Sequence, residues 1–206
     1  MKTLHNQILE ALQFLSNPEK KEFLPYFFKT GKGEYAEGDK FLGVVVPDSR
    51  KMVKEYWQKA TLEDVQEILM SEFHEMRLVA LLILVNKFEK SKDLKEQENF
   101  VDFYLKNTQY INNWDLVDLS CYKLLGMYCF ENQKDDVLRK LSDSENMWEK
   151  RIAIVATMHY IKKGNSYDLT QELVLNNLQH PHDLMHKANG WLLREMGKKD
   201  EEKLLN

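Results

Sequence analysis

Apolar residues recur every three to four positions along most of this chain. Leu4, Ile8, Leu9, Leu12 and Leu15 mark one face of a helix over 4–15. Asn17-Pro18-Glu19 supplies an N-cap followed by proline at the first helical position, which opens a second helix carrying Phe23, Leu24, Phe27 and Phe28. Residues 30–43 contain Gly31, Gly33 and Gly38 and read as a loop. The run Val44-Val45-Val46 is halted by Pro47, which starts a helix over 47–59. Thr61 and Asp64 form a capping-box variant that opens a helix reaching Met70. The same periodicity predicts helices over 73–89, 94–106, 114–129, 134–141, 146–162, 168–178 and 183–196. No strand-like alternation appears. The connections are short, so neighbouring helices are expected to run antiparallel.

A weak signature recurs in the second helix of successive pairs. A basic residue precedes small and aliphatic ones in Arg77-Leu78-Val79-Ala80, Arg151-Ile152-Ala153 and Lys187-Ala188-Asn189-Gly190. The small residues would let helices approach closely. A spacing of roughly 35–40 residues is that of HEAT-like helix pairs. The expected fold is therefore all-α, a HEAT-like repeat α-solenoid over residues 1–206, with the basic residues aligned along one concave face. An irregular helical bundle is the alternative.

Composition narrows the function classes. Eight Gly and four Pro among 206 residues are too few for a turn-rich β-sandwich or barrel. No apolar run reaches the ~18 residues of a membrane span, and the amphipathic start lacks a signal-peptide core, so a cytoplasmic address is expected. Cys121 and Cys129 stand eight residues apart on one predicted helix, roughly 12 Å along its axis. That is too far for a disulfide, and buried reduced thiols are expected. The formal net charge of −4 opposes nucleic-acid binding unless basic residues gather locally.

Three stretches could carry chemistry. In Asn112-Asn113-Trp114-Asp115-Leu116-Val117-Asp118, Trp114 and Asp118 are i and i+4 and share a helix face. A carboxylate beside an aromatic wall suits stabilisation of a developing sugar cation. Equally, Asp115 and Asp118 read as ordinary first-turn acids and Trp114 as core. Arg151, in Trp148-Glu149-Lys150-Arg151, could grip a phosphate or form a salt bridge to a neighbouring helix, for instance to Asp118. Lys187, Trp191 and Arg194 put cation, aromatic and cation on one helical face, a nucleic-acid surface or a buried indole between solvated cations. His182 and His186 have zinc-ligand spacing, but Asp183 replaces the usual glutamate and no third ligand is evident, so no metal is expected. Gly31, Gly33 and Gly38 lack P-loop spacing; that loop is a linker or a DNA-contacting segment. Cys121 has no histidine partner that would mark a nucleophile.

Taken together, four blocks resemble the DNA alkylation repair enzymes of the AlkD-like family. They are Phe41-Leu42-Gly43-Val44-Val45-Val46-Pro47 with Arg50, Asn113 to Asp118, Trp148 to Ala153, and Lys187-Ala188-Asn189-Gly190-Trp191-Leu192-Leu193-Arg194-Glu195. They follow the family's order and cover most of the chain from about residue 17. The resemblance implies a DNA glycosylase that excises N3- and N7-alkylated purines. It places the catalytic aspartate on Asp118, the arginine on Arg151 and two tryptophans on Trp114 and Trp191, with Tyr26 or Phe27 adding to the aromatic wall. Lys187 and Arg194 would join Arg151 on phosphates. It implies no cofactor and no metal, a partner of double-stranded DNA containing alkylated bases, no membrane, and a monomer. Relatives usually continue with a further helical pair after the Trp191 helix, so a shortened or truncated C-terminus is expected. Some relatives keep the fold without activity, which makes a non-catalytic module binding DNA structures or a protein the alternative function.

Overall fold

The computed structural model describes residues 2–164 and 167–202. The chain divides into two compact units, Met1–Leu116 and Val117–Asn206. Every regular segment of the described residues is helical, and the only β-type pairing among them is an isolated parallel bridge between Lys40 and Phe73. The all-α expectation holds.

The first unit contains α1 (Leu4–Phe14), α2 (Pro18–Phe27), α3 (Val46–Tyr56), α4 (Leu62–Leu69), α5 (His74–Lys90) and α6 (Leu94–Lys106), then a 3-10 turn at Thr108–Tyr110. Local chemistry sets the starts. The Asn17 side chain accepts from the Lys20 amide ahead of Pro18, and Thr61 and Asp64 complete a reciprocal capping box. Helix α5 is the centre of this unit. It is buried on nearly all sides, from Met76 through Val85, and packs against α3, α4 and α6. An apolar stripe that runs all the way round a helix can only be satisfied in this way.

One carboxylate organises the loop before α3. Glu75, in the first turn of α5, is 2% exposed. Its oxygens accept the backbone amides of Leu42 (2.9 and 3.1 Å), Gly43 (2.8 Å) and Val44 (3.1 Å). The Phe41-to-Pro47 block is thus a strap wrapped around a buried charge. Gly43 sits at φ +86°, and a Cβ there would lie 2.5 Å from the Asn17 carbonyl. Only glycine fits both the dihedral and the space.

Helix α7 (Trp114–Cys121) leads into the second unit, followed by a π-helical turn at Tyr122–Gly126 and α8 (Met127–Asn132). The helix predicted over 114–129 is therefore interrupted by a π turn. Then come α9 (Asp135–Ser142), α10 (Met147–Ala156), α11 (Met158–Lys163), α12 (Asp168–Asn176) and α13 (Asp183–Gly197). The helix predicted over 146–162 breaks at Thr157. Its buried hydroxyl donates to the Ile154 carbonyl (2.7 Å), a local bond that competes with the helical ladder.

The recurring signature needs two corrections. Ala80, Ala153, Ala156 and Ala188 are fully buried, as small packing residues should be. Gly190, however, faces open space; the close helix approach is at Gly126, where a Cβ would lie 2.1 Å from the Ala156 carbonyl. Nor do the basic residues all line an open surface. Arg77 and Arg151 are buried, each against an aspartate, because an ionised group inside protein must be paired.

Glu75→Ala strands three buried amides and is expected to lower stability by roughly 3–5 kcal/mol. Glu75→Gln, which keeps an acceptor but loses the charge, is expected to lose less than half of that. Urea unfolding followed by circular dichroism distinguishes the two; equal losses would show that the strap needs the charge and not the acceptor geometry.

Candidate functional site

In the second unit, Asp118 and Arg151 meet. Asp118 projects from the second turn of α7 and Arg151 from the second turn of α10. Arg151 Nε donates to one carboxylate oxygen (3.1 Å) and Nη2 to the other (2.8 Å), a bidentate fork. Arg151 Nη1 donates to the Leu184 carbonyl in the first turn of α13. One guanidinium thereby links three helices. Its side chain is 5% exposed, whereas that of Asp118 is 16% exposed. The arrangement holds a carboxylate in fixed orientation and leaves part of it open. Of the two partners expected for Arg151, the structure supplies the aspartate.

Below Asp118 lies Cys121, fully buried. Burial, with the negative charge of Asp118 next in importance, pushes its thiol well above the usual range. Burial likewise raises Cys129 to about 12. Both cysteines are free and neutral, as core thiols.

In the first unit, Trp114 is held in an aromatic cluster. Phe28 stacks on it (centroids 5.4 Å apart, planes at 19°) and Phe27 meets it edge-on (6.0 Å, 70°). Phe28 also stacks on Phe41 at 5.0 Å, and both contact the His74 ring, at 4.9 and 4.7 Å. Phe27 is half exposed. Tyr26 is largely exposed and lines a separate groove with Lys21, Pro25, Lys29 and Glu34. Between the two aromatic residues expected near the wall, Phe27 is the one that touches Trp114.

Behind these rings is a buried ionic network that sequence reasoning missed. His74 Nε2 lies 2.8 Å from Asp115, its Nδ1 lies 3.7 Å from Asp39, and Arg77 donates to Asp39 at 2.6 Å. Asp115 also accepts the Leu116 amide at the start of α7. Burial alone would lower the His74 pKa, but the charge of Asp115 and the bonds to Asp115 and Asp39 outweigh it and raise it to about 9. Burial works on Asp39 in the opposite sense to His74 and Arg77, which together hold its carboxyl below the ordinary range. The signal was present in sequence: three ionisable residues, His74, Glu75 and Arg77, stand directly before the apolar run Leu78–Val85.

The remaining expected residues lie on α13. Trp191 is partly buried; Lys187 and Arg194 are exposed, with Lys187 paired to Asp183 at 2.8 Å. His182 caps α13, its Nδ1 accepting the Leu184 amide. No group of three or more His, Cys, Asp or Glu side chains among the described residues is placed to hold a metal ion. No helix among them is long and apolar enough to cross a membrane.

The His74 pKa raised from 6.5 to about 9 means that the folded state holds a proton which the unfolded chain releases earlier. The stabilisation is complete below pH 6.5 and disappears as the pH climbs through 9, amounting to something on the order of 2–3 kcal/mol. The thermal midpoint should therefore fall between pH 7 and pH 9.5. His74→Gln should start from a lower midpoint and show a flat profile over that window; a wild-type profile as flat as the variant's would refute the charged network.

The model of the family described as DNA alkylation repair enzyme matches residues 8–206. Among solved structures, a predicted DNA alkylation repair enzyme from Enterococcus faecalis has the same fold, with a TM-score of 0.69 over 94% of this chain and 89% of that one, at 20% identity. No curated protein matches the chain. With the family model spanning nearly its whole length, this chain belongs to the DNA alkylation repair enzyme family.

Proposed function

We propose that the protein is a DNA glycosylase that hydrolyses the N-glycosidic bond of N3- or N7-alkylated purines in duplex DNA. The observation that carries this reading is the Asp118 carboxylate, gripped through both oxygens by Arg151 yet still partly open. Alkylation gives the purine a positive charge. The base then leaves with the electron pair of the glycosidic bond and becomes neutral, so no acid has to protonate it. The enzyme must stabilise the cationic sugar and guide water to C1′. A fixed carboxylate does both, by facing the developing charge and by taking the proton that the attacking water gives up.

The other roles follow the chemistry of each side chain. Arg151 keeps Asp118 in place, since its fork is already engaged by the carboxylate and the Leu184 carbonyl. Lys187 and Arg194, exposed on α13, contact phosphates, and Gly190 between them leaves room for a backbone to come close. Trp114 and Trp191 pack on the sugar–phosphate chain around the lesion. Helical repeats of HEAT type, a concave binding face, action as a monomer and a cytoplasmic address complete the proposal; the two free buried thiols suit a reducing compartment.

Purified protein is expected to release 7-methylguanine or 3-methyladenine from methylated duplex DNA, read as free base and as abasic sites. Asp118→Asn should cut release at least ~100-fold, the scale seen when one electrostatic stabiliser is removed. Arg151→Lys, which keeps the charge but loses the fork, should slow release by about tenfold with unmodified-DNA affinity nearly unchanged. Circular dichroism must accompany both, because opening a buried pair costs on the order of 3–5 kcal/mol. Tight binding to bent or branched DNA without any base release would instead favour a non-catalytic module.

A further inference from the structure

The second unit carries a cationic cluster that the reading above does not use. Tyr122 follows Asp118 by four residues, at the point where α7 passes into the π turn. Lys162, in the last turn of α11, places its ammonium 4.1 Å from the centre of the Tyr122 ring. Lys123 approaches the same ring from its own side at 5.9 Å. Tyr122 and Lys123 are partly exposed and Lys162 is exposed. Two ammonium groups thus converge over one ring. Among the described residues neither is held by a carboxylate at ion-pair distance. The acid nearest in effect, Glu195, is already bonded to Lys198 at 2.6 Å.

Converging like charges repel. Burial and then the charge of Lys123 lower the Lys162 pKa. Burial, followed by Lys163 and Lys162, also lowers that of His159, one turn back on α11. A protein whose formal net charge is −4 has gathered Lys123, Lys162, Lys163 and His159 in one place. An anion between the ammoniums would relieve that repulsion. Tyr122 and Lys123 open the π turn, and such turns recur at binding sites.

We propose that Tyr122, Lys123 and Lys162 form a phosphodiester-binding site for the DNA strand, one helical turn beyond Asp118. The proposal rests on the DNA-repair reading. It adds a backbone contact on the π turn and α11 to the cations of α13.

The test uses the full chain and a fluorescein-labelled unmodified duplex, with anisotropy read from 25 to 200 mM salt. Lys123→Gln with Lys162→Gln should reduce the slope of log affinity against log salt by about 1–2 and weaken binding roughly tenfold at the lowest salt. A control with the same charge change at α9, Lys134→Gln with Lys140→Gln, should leave the slope unchanged. Single-turnover base release at saturating protein should match the wild type in the Lys134/Lys140 control. A slope unaltered in the first variant, or altered equally in both, overturns the site. Wild-type protein that binds with the expected slope and loses it in the first variant, but releases no base, keeps the site and sinks the glycosylase. Wild-type protein that does not bind the duplex sinks both.

Discussion

The constraint on which the structure depends is that ionised groups taken out of water must be paired where they stand. Two long apolar helices, α5 and α10, begin with charged residues that their own packing buries: His74, Glu75 and Arg77 on the first, Arg151 on the second. Each charge reaches outside its helix for a partner. Glu75 takes the amides of the 42–44 strap, His74 and Arg77 take Asp39 and Asp115, and Arg151 takes Asp118 and the Leu184 carbonyl. The pairing energies largely offset desolvation, so little net stability comes from them. What they contribute is specificity. A partner displaced by one residue would leave a bare charge in the core, which costs several kcal/mol.

That specificity is directed at the residues proposed to act on DNA. Asp115 is fixed by His74, and Trp114 precedes it in the chain, stacked on Phe28 which itself rests on the His74 ring. In the other unit, Asp118 is fixed by Arg151. The two acids of the Trp114-Asp115-Leu116-Val117-Asp118 stretch therefore have different occupations. Asp115 is 7% exposed and accepts from both the histidine and a backbone amide, so it anchors the helix start. The Asp118 side chain is 16% exposed. Had both been solvated, neither would hold a direction; had both been sealed, neither could meet a ligand.

Much of this was legible in the sequence. Helix existence followed from the 3.6-residue period, and the starts at Pro18 and Leu62 followed from caps whose side-chain bonds are present. The family, read from four short blocks, is shown by the match over residues 8–206. What escaped depends on contacts between distant segments. Periodicity says that Gly126 and Gly190 are both helical but not which of them faces a carbonyl. It says that Arg77 is basic but not that Asp39, thirty-eight residues earlier, waits beside it. Phe28 was read as an ordinary apolar position, and only the folded chain shows it flat against Trp114. The breaks at Tyr122–Gly126 and Thr157 escaped for a related reason: each is a local hydrogen-bond choice that leaves the apolar period almost unchanged.

The acidic balance of the chain stops being an objection once its acids are sorted by occupation. Asp39, Glu75, Asp115 and Asp118 are engaged by internal cations or amides and project little field outward. Others are tied on the surface, as Glu172 is to Arg139 and Asp183 to Lys187. The cations differ in the same respect. Arg77 and Arg151 are internal, whereas Lys123, Lys162, Lys163 and Arg194 remain available. A phosphate chain responds to the charges within about a Debye length, roughly 8 Å at physiological salt, and not to the formal sum over 206 residues. The local gathering of Lys123, Lys162 and Lys163 near the Asp118 helix is therefore the quantity that bears on a phosphate chain, and the whole-chain sum of −4 does not report it.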